Sequence, residues 1–206
     1  MLSAVAKRIA AEEARLNSLD AAIGDGDHGI TMRLGFEAIN RKLAETDHQA
    51  DIATLLGESG MAFMGATGGA IGVVLGKMLL AAGRSLKEAR LFRAREFKSM
   101  LTAMEASVAS SGKVKIGDKT IFDAVSAACG VLSGNEESLA EAVGEAATAA
   151  ESAALETASM LCRVGRASRL GERSLGHPDP GAASFSLILR AMSDWIASEG
   201  NPSGAD

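Results

Sequence analysis

An all-α fold is predicted for this chain, an eight-helix antiparallel up-and-down bundle or barrel, and three observations predict it. The composition is 47% hydrophobic but only 3% aromatic, with no Tyr and abundant Ala. Such a chain packs helices closely through small side chains, whereas a β-sandwich needs aromatic and β-branched residues. Apolar residues recur at helical spacing in eight segments, and the connections between them are short, which favours antiparallel neighbours. No internal repeat or long linker divides the 206 residues, so residues 1–206 are expected to form one domain, long enough to bury a core.

The first helix is expected over residues 2–19, where Leu2, Val5, Ile9, Leu16 and Leu19 keep near-helical spacing and Lys7, Arg8, Glu12, Glu13 and Arg15 fall mostly between them. An Asp-Gly loop follows, and a second helix runs to about residue 44 with Ile30, Leu34, Ile39 and Leu43 on one face. A third covers about 50–63. The fourth, at about 69–82, carries Ile71, Val73, Val74, Leu75, Met78, Leu79 and Leu80, which reads as a helix buried nearly all round at the centre of the bundle. It is too short to cross a bilayer. Arg84, Lys87, Arg90, Arg93, Arg95 and Lys98 then form a basic stretch over a connection and the start of the fifth helix, which continues to about residue 110. A solvated face explains that stretch, and docking onto an acidic partner is the sharper alternative. Three more helices are expected at about 119–132, 136–163 and 181–198. In the longest, Glu137, Glu141 and Glu145 mark a wet face opposite Leu139, Val143 and Ala146.

The net charge is −5, which speaks against nucleic acid as a partner because the broad basic surface that neutralises phosphates is missing. Cys129 and Cys162 lie in apolar helical patterns without metal-ligand spacing and read as buried thiols of a reducing compartment. The first sixteen residues carry acidic side chains where a signal peptide has an unbroken apolar run. A cytoplasmic protein with no membrane segment is expected.

The passage with most chemical content is 19–29, Leu-Asp-Ala-Ala-Ile-Gly-Asp-Gly-Asp-His-Gly. Asp20, Asp25 and Asp27 fall within eight residues there. Carboxylates so crowded repel unless a cation neutralises them, and alternating glycines let Asp25 and Asp27 turn towards one centre. A hard ion such as Mg²⁺, held by oxygens and completed by substrate phosphates, suits them. An EF-hand calcium loop lacks its later ligand positions here, and Glu37, twelve residues along from Asp25, lies inside a predicted helix. On these residues alone, a solvated turn with an Asp capping the next helix explains the passage equally well.

Three other loops bear on that choice. Gly65-Ala66-Thr67-Gly68-Gly69 opens a helix with glycines and a hydroxyl, an arrangement that exposes N–H groups at the positive end of a helix dipole. Close helix packing also uses glycine. The Gly-Lys-Ser/Thr ending of a P-loop is absent. Gly117-Asp118-Lys119-Thr120 precedes another helix, with Asp118 as its expected N-cap. Gly176-His177-Pro178-Asp179-Pro180-Gly181 offers Asp179 as a cap and Pro180 as a first helical residue.

Together with Gly-Arg-Ala-Ser-Arg-Leu-Gly-Glu-Arg-Ser at 165–174, these passages resemble, in order and over almost the whole chain, the nucleotide-binding L subunit (DhaL type) of dihydroxyacetone kinases. The resemblance implies a helical barrel whose loops at one end hold ATP or ADP with two Mg²⁺ ions and present them to a separate substrate-binding K-type subunit. It places metal ligands on Asp20, Asp25 and Asp27. Nucleotide contacts carry over to His28, Gly29, Thr31, Ala66, Thr67, Gly112, Ile121, Arg166, Asp179, Pro180 and Gly181. Thr31 stands where many members have Asn, Thr67 where many have Ser, and Ile121 where Met is frequent.

The activity so implied is a kinase, incomplete without its partner: glycerone kinase chemistry on dihydroxyacetone or a related short ketose. Phosphoryl transfer needs mainly positioning and charge stabilisation. Asp20, Asp25, Asp27 and Thr67 are the expected catalytic set, with His28 packed against or bonded to the phosphates and Arg166 positioning the nucleotide. Two donors stay open: ATP itself, or a phosphotransferase-system protein that rephosphorylates a fixed ADP. A non-catalytic nucleotide sensor docking on a regulator through 84–98 is the alternative of another class, and a homodimer is left open.

Overall fold

The computed structural model describes residues 1–47, 49–112, 114–133 and 138–199, and among these the regular structure is helical throughout. The first strut is α1 (Leu2–Ala11) followed by α2 (Glu13–Ile23). They join at Glu12, whose N–H is shared between the carbonyls of Arg8 at 3.1 Å and Ile9 at 3.2 Å, so the rod bends without breaking. It also runs past the expected residue 19, which puts Asp20 in the last helical turn. Then come α3 (His28–Glu45), α4 (Ile52–Ala66), α5 (Gly69–Ser85), α6 (Ala94–Gly112), α7 (Ile121–Gly130), α8 (Leu139–Glu156) and α9 (Pro180–Glu199), with 3₁₀ turns at Thr157–Ser159 and Arg166–Ser174.

Each strut packs on the next, and α9 packs back on α1 and α2, closing a ring of eight struts around the core of Val5, Ile9, Phe36, Phe63, Phe97, Leu101, Val125 and Leu189. Because the chain runs up and down, alternate connections emerge at the same end. The four connections α2–α3, α4–α5, α6–α7 and α8–α9 share one end. The basic stretch that links α5 to α6 lies at the other.

Two expectations about the core are corrected. α5 is not buried all round: Val73 is 48% exposed and Lys77 faces solvent, while Gly72, Leu75, Gly76, Met78, Leu79, Ala82 and Gly83 form its buried stripe. Those glycines let α4 approach backbone to backbone, since a Cβ on Gly60 would stand 2.7 Å from the Gly76 carbonyl and one on Gly83 2.7 Å from that of Ala53. The longest unbroken buried run among the described residues is instead in α9, from Pro180 to Leu187. In α3, Ile30 and Leu34 point outward, 39% and 40% exposed, and the inner face is Met32, Phe36 and Ile39. Its rotation is set by Gly35, which leaves room for the Phe63 ring, itself edge-on to Phe36 at 5.7 Å.

α8 ends at Glu156, seven residues before the expected 163, and Cys162 therefore lies in an extended segment rather than a helix. The Ala-lined face of α8, with Val143, Ala146 and Ala150, is buried and Glu141 and Glu145 are exposed. Glu137, expected to continue that wet face, lies outside the described residues. Both cysteines are free thiols, and no described helix is long and apolar enough to cross a membrane.

Candidate functional site

The acidic turn is folded by one of its own carboxylates. Asp20, in the last turn of α2, accepts at Oδ2 from the N–H of Gly26 (2.8 Å) and of Asp27 (3.1 Å). Gly24 ends the helix, and a side chain there would collide with the Asp20 carboxylate. Gly26, at φ +81°, takes the left-handed turn that sends the chain back. One carboxylate oxygen each of Asp20, Asp25 and Asp27 thereby lies within 4.8 Å of the other two, with Asp20 half-buried and the others exposed. Asp27 stands at the N-cap position of α3, yet its side chain makes no capping hydrogen bond. That weakens the capped-turn alternative. The donor set is oxygen only, anionic and open on one side, which fits a hard divalent cation completed by further oxygens.

Gly29 serves the crossing of α2 and α3, since a Cβ there would run into the Glu13 carbonyl and the Asn17 side chain. Asn17 Oδ1 accepts from the Ile30 N–H at 3.1 Å, taking over the capping of α3. Arg33 bonds Glu13 (2.5 Å) and Glu37 (2.7 Å), which fastens the same crossing. The His28 ring is buried and its Nε2 pairs with the Ser184 hydroxyl of α9 at 3.0 Å. Burial lowers its pKa to about 4 against the opposing pull of Asp20, so the imidazole is neutral. Thr31 is half-buried one turn along.

The second connection is short. Thr67 ends α4 and its hydroxyl donates to the Phe63 carbonyl at 2.7 Å, leaving its oxygen lone pairs rather than its proton for a ligand. Gly68 precedes α5 without a side-chain cap, Gly69 sits at φ +73°, and Ala66, Gly68, Gly69 and Ala70 are exposed. The first N–H groups of α5 thus face outward with no acidic residue in the first turn, the arrangement that attracts phosphate oxygens.

The third connection corrects a capping expectation. Thr120, not Asp118, caps α7, in a reciprocal box with Asp123 that takes the Thr120 N–H at 2.8 Å. Asp118 turns back to the Lys115 N–H at 2.9 Å. Lys119, at φ 61°, is fully buried, and its ammonium donates to the carbonyls of Thr157 (2.7 Å), Met160 (3.2 Å) and His177 (2.6 Å). A left-handed backbone at a non-glycine residue costs about 1–2 kcal/mol. It persists because those bonds hold it. They also explain the early end of α8: the Thr157 hydroxyl donates to Ala154 O at 2.5 Å and Lys119 claims the carbonyls beyond.

In the fourth connection Asp179 caps α9 as expected, accepting from the Ala182 N–H at 2.7 Å, and Pro180 is the first helical residue. Burial, reinforced by Asp123 and opposed by the α9 N–H groups and Lys119, pushes the Asp179 carboxyl up to about 7. A Cβ on Gly181 would lie 3.3 Å from that of Ile121, so the first turns of α7 and α9 touch.

The structure therefore brings Asp20, Asp25 and Asp27 together, and joins His28, Ile121, Asp179, Pro180 and Gly181 through α9. Ala66 and Thr67 share this end by topology, without a hydrogen bond to the other three loops among the described residues. Gly112 closes α6 and Arg166 opens a 3₁₀ turn, but the Arg166 side chain lies outside the described residues. Sequence reasoning missed Asn17, Lys119, Asp123, Thr157 and Ser184. Of these only Asp123 carried a signal, the Thr-x-x-Asp spacing of a capping box.

Residues 22–194 match the model of the DAK2 domain. The chain is 36% identical over 180 residues to the ADP-binding subunit DhaL of PEP-dependent dihydroxyacetone kinase 2 from Listeria innocua, covering 86% of this chain and 83% of that one. It is 37% identical to the corresponding Escherichia coli subunit, covering 88% and 87%. It is 38% identical to the L-erythrulose kinase of Pectobacterium atrosepticum over 96% of this chain but 34% of that protein. The fold superposes on the dihydroxyacetone kinase of C. freundii with a TM-score of 0.74 at 26% identity, and on its complex with AMP-PNP and Mg²⁺ with a TM-score of 0.70. This chain spans about one third of that kinase, 33% of its length. With its helical ring, its acidic turn and these matches, the chain belongs to the DAK2-domain family.

Proposed function

We propose that this chain is the nucleotide-binding subunit of a dihydroxyacetone-type kinase acting on a short ketose held by a separate substrate-binding subunit. The observation that carries the reading is the convergence of Asp20, Asp25 and Asp27 within 4.8 Å at the same end of the ring as the uncapped start of α5. It is supported by the identity to two subunits named as ADP-binding.

In this reading Asp20, Asp25 and Asp27 hold two Mg²⁺ ions, which when bound neutralise phosphate charge and fix the phosphoryl group in line. The first N–H groups of α5 take phosphate oxygens, with Thr67 beside them. Ile121, Asp179, Pro180, Gly181 and Arg166 line the nucleoside side. His28, neutral and tied to Ser184, holds the starts of α3 and α9 in register rather than donating charge. The ketose acceptor comes from a partner, in keeping with a chain that spans about one third of the kinase it superposes on. Exposed Ile30, Leu34, Val73, Ile116, Leu161 and Leu175 all belong to the site end, which supports a protein surface covering it. A cytoplasmic location accords with the free thiols.

Calorimetric titration with ADP, with and without Mg²⁺, tests the reading. Binding should require the metal and vanish in Asp25→Ala while the helical circular dichroism is kept. Unchanged ADP affinity in that variant would overturn the assignment. The donor is decided by turnover with the partner subunit and dihydroxyacetone or erythrulose. Retained ADP without ATP turnover supports the phosphotransferase route; the L. innocua and E. coli relatives are named as PEP-dependent, which accords with a donor other than ATP. No product by either route, with binding to a regulator through 84–98, would support a sensor.

A further inference from the structure

The connection from α8 to α9, residues 157–179, has no α-helix, only two 3₁₀ turns, yet it carries the last of the proposed nucleotide contacts. Its backbone groups need partners from elsewhere. Some it finds within itself: Gly176 N–H bonds Ala158 O at 2.8 Å, and Ser174 Oγ accepts from Cys162 N–H at 3.1 Å. Its second 3₁₀ turn packs against α2, and its hydrogen bonds to the rest of the ring among the described residues come from the third connection. The Asp118 carbonyl accepts from Arg163 N–H at 3.2 Å, and Lys119 binds three carbonyls spread over twenty residues.

We propose that Lys119 is the positioning residue of this connection: by holding the carbonyls of Thr157, Met160 and His177, its ammonium sets where Asp179, Pro180 and Gly181 stand, and so controls nucleotide affinity. The link from clamp to site is one residue long. Thr157, whose carbonyl Lys119 holds, accepts the Asp179 N–H at its hydroxyl at 2.8 Å, and His177 is two residues from Asp179 on the other side. Buried among carbonyls, Lys119 has no geometry for touching a phosphate itself, which separates it from the lysine of a P-loop. Removing the ammonium leaves three carbonyls without this donor and frees the connection from α7, while the acidic turn, held by Asp20, is untouched.

The inference rests on the nucleotide reading, and the test separates the two. In Lys119→Met, which keeps chain length, ADP affinity in Mg²⁺ should fall at least tenfold. Binding of Mn²⁺ alone, followed by electron paramagnetic resonance, should stay within twofold, and hydrogen-exchange protection should drop over 157–180 but not in α1–α6. Lys119→Arg should recover part of the loss. Unchanged ADP affinity overturns the proposal, and so does an equal loss of ADP and Mn²⁺ binding, which is what general unfolding produces. If the wild-type chain binds Mn²⁺ but no ADP, the nucleotide reading falls, and the proposed control of affinity falls with it. If Lys119→Met does not fold, Thr157→Val decides: it keeps Lys119 but removes the hydroxyl that holds Asp179 N–H. ADP affinity there should drop at least threefold at constant Mn²⁺ affinity, and no drop counts against the clamp.

Discussion

Replacing Asp25 by Asn should make the metal-free protein more stable. One carboxylate oxygen of each of Asp20, Asp25 and Asp27 lies within 4.8 Å of the others. At that separation two unit charges in water repel by about 0.9 kcal/mol. The water value is the right one for Asp25, which is exposed. The repulsion of Asp25 by the Asp20 and Asp27 carboxylates amounts to roughly 2 kcal/mol at low ionic strength, reduced by salt to about 1 kcal/mol. Asn keeps an acceptor oxygen and the chain geometry, so the relief should survive as a rise of about 2–4 °C in Tm for a domain of this size. Mg²⁺ inverts the order. At ten times its dissociation constant a bound ion adds about 1.4 kcal/mol to the wild type and little to the variant. Thermal unfolding by circular dichroism in EDTA, then in Mg²⁺, at low and high salt, reads both effects. A lower Tm for Asp25→Asn in EDTA, or a Mg²⁺-induced rise as large as that of the wild type, refutes the argument that these charges are gathered for a cation.

Gly35→Ala should destabilise the fold by about 1–3 kcal/mol, because its Cβ falls inside the fully buried Phe63 ring and the gain in helix propensity is smaller than that clash; denaturant unfolding measures it. Thr120→Ala, which removes half of the capping box on α7, should cost about 1 kcal/mol in the same assay. Asp179 predicts a pH dependence. Its folded carboxyl, at about 7, keeps a proton that the unfolded chain releases near 3.8. The folded state binds more protons in that window, so this contribution to stability is full below pH 4 and lost as the pH rises through 7, by on the order of 2–4 kcal/mol. Asp179→Asn should flatten the slope relative to wild type between pH 4 and 7, and an unchanged slope counts against the raised value.

The parts of the molecule that were legible from sequence are those fixed locally. Eight helical periodicities and short connections were enough for the ring, whereas the Asp-Gly alternation left a shared centre for Asp20, Asp25 and Asp27 and a capped solvated turn equally open until the geometry brought the three carboxylates together. The errors occur where distant residues decide. The apolar run of α5 looked central, yet Gly72, Gly76 and Gly83 turn one face onto α4 and leave Val73 outside. Ile30 and Leu34 looked inward until Gly35 and the Phe63 ring set the rotation of α3. The end of α8 was displaced by Lys119, a side chain from another connection, and no pattern around residue 157 announces that contact.

That contrast divides the proposed site itself. Its metal half rests on the α2–α3 and α4–α5 turns, where a carboxylate, two left-handed glycines and two helix starts determine the geometry within a few residues. Its nucleoside half rests on 157–181, whose shape depends on hydrogen bonds from Lys119 and Asp118 and on the close approach of Ile121 to Gly181. Local order is robust to changes elsewhere in the fold, whereas order supplied by one buried ammonium is lost with that group. Metal binding should therefore outlast nucleotide binding whenever the α6–α7 and α8–α9 connections come apart.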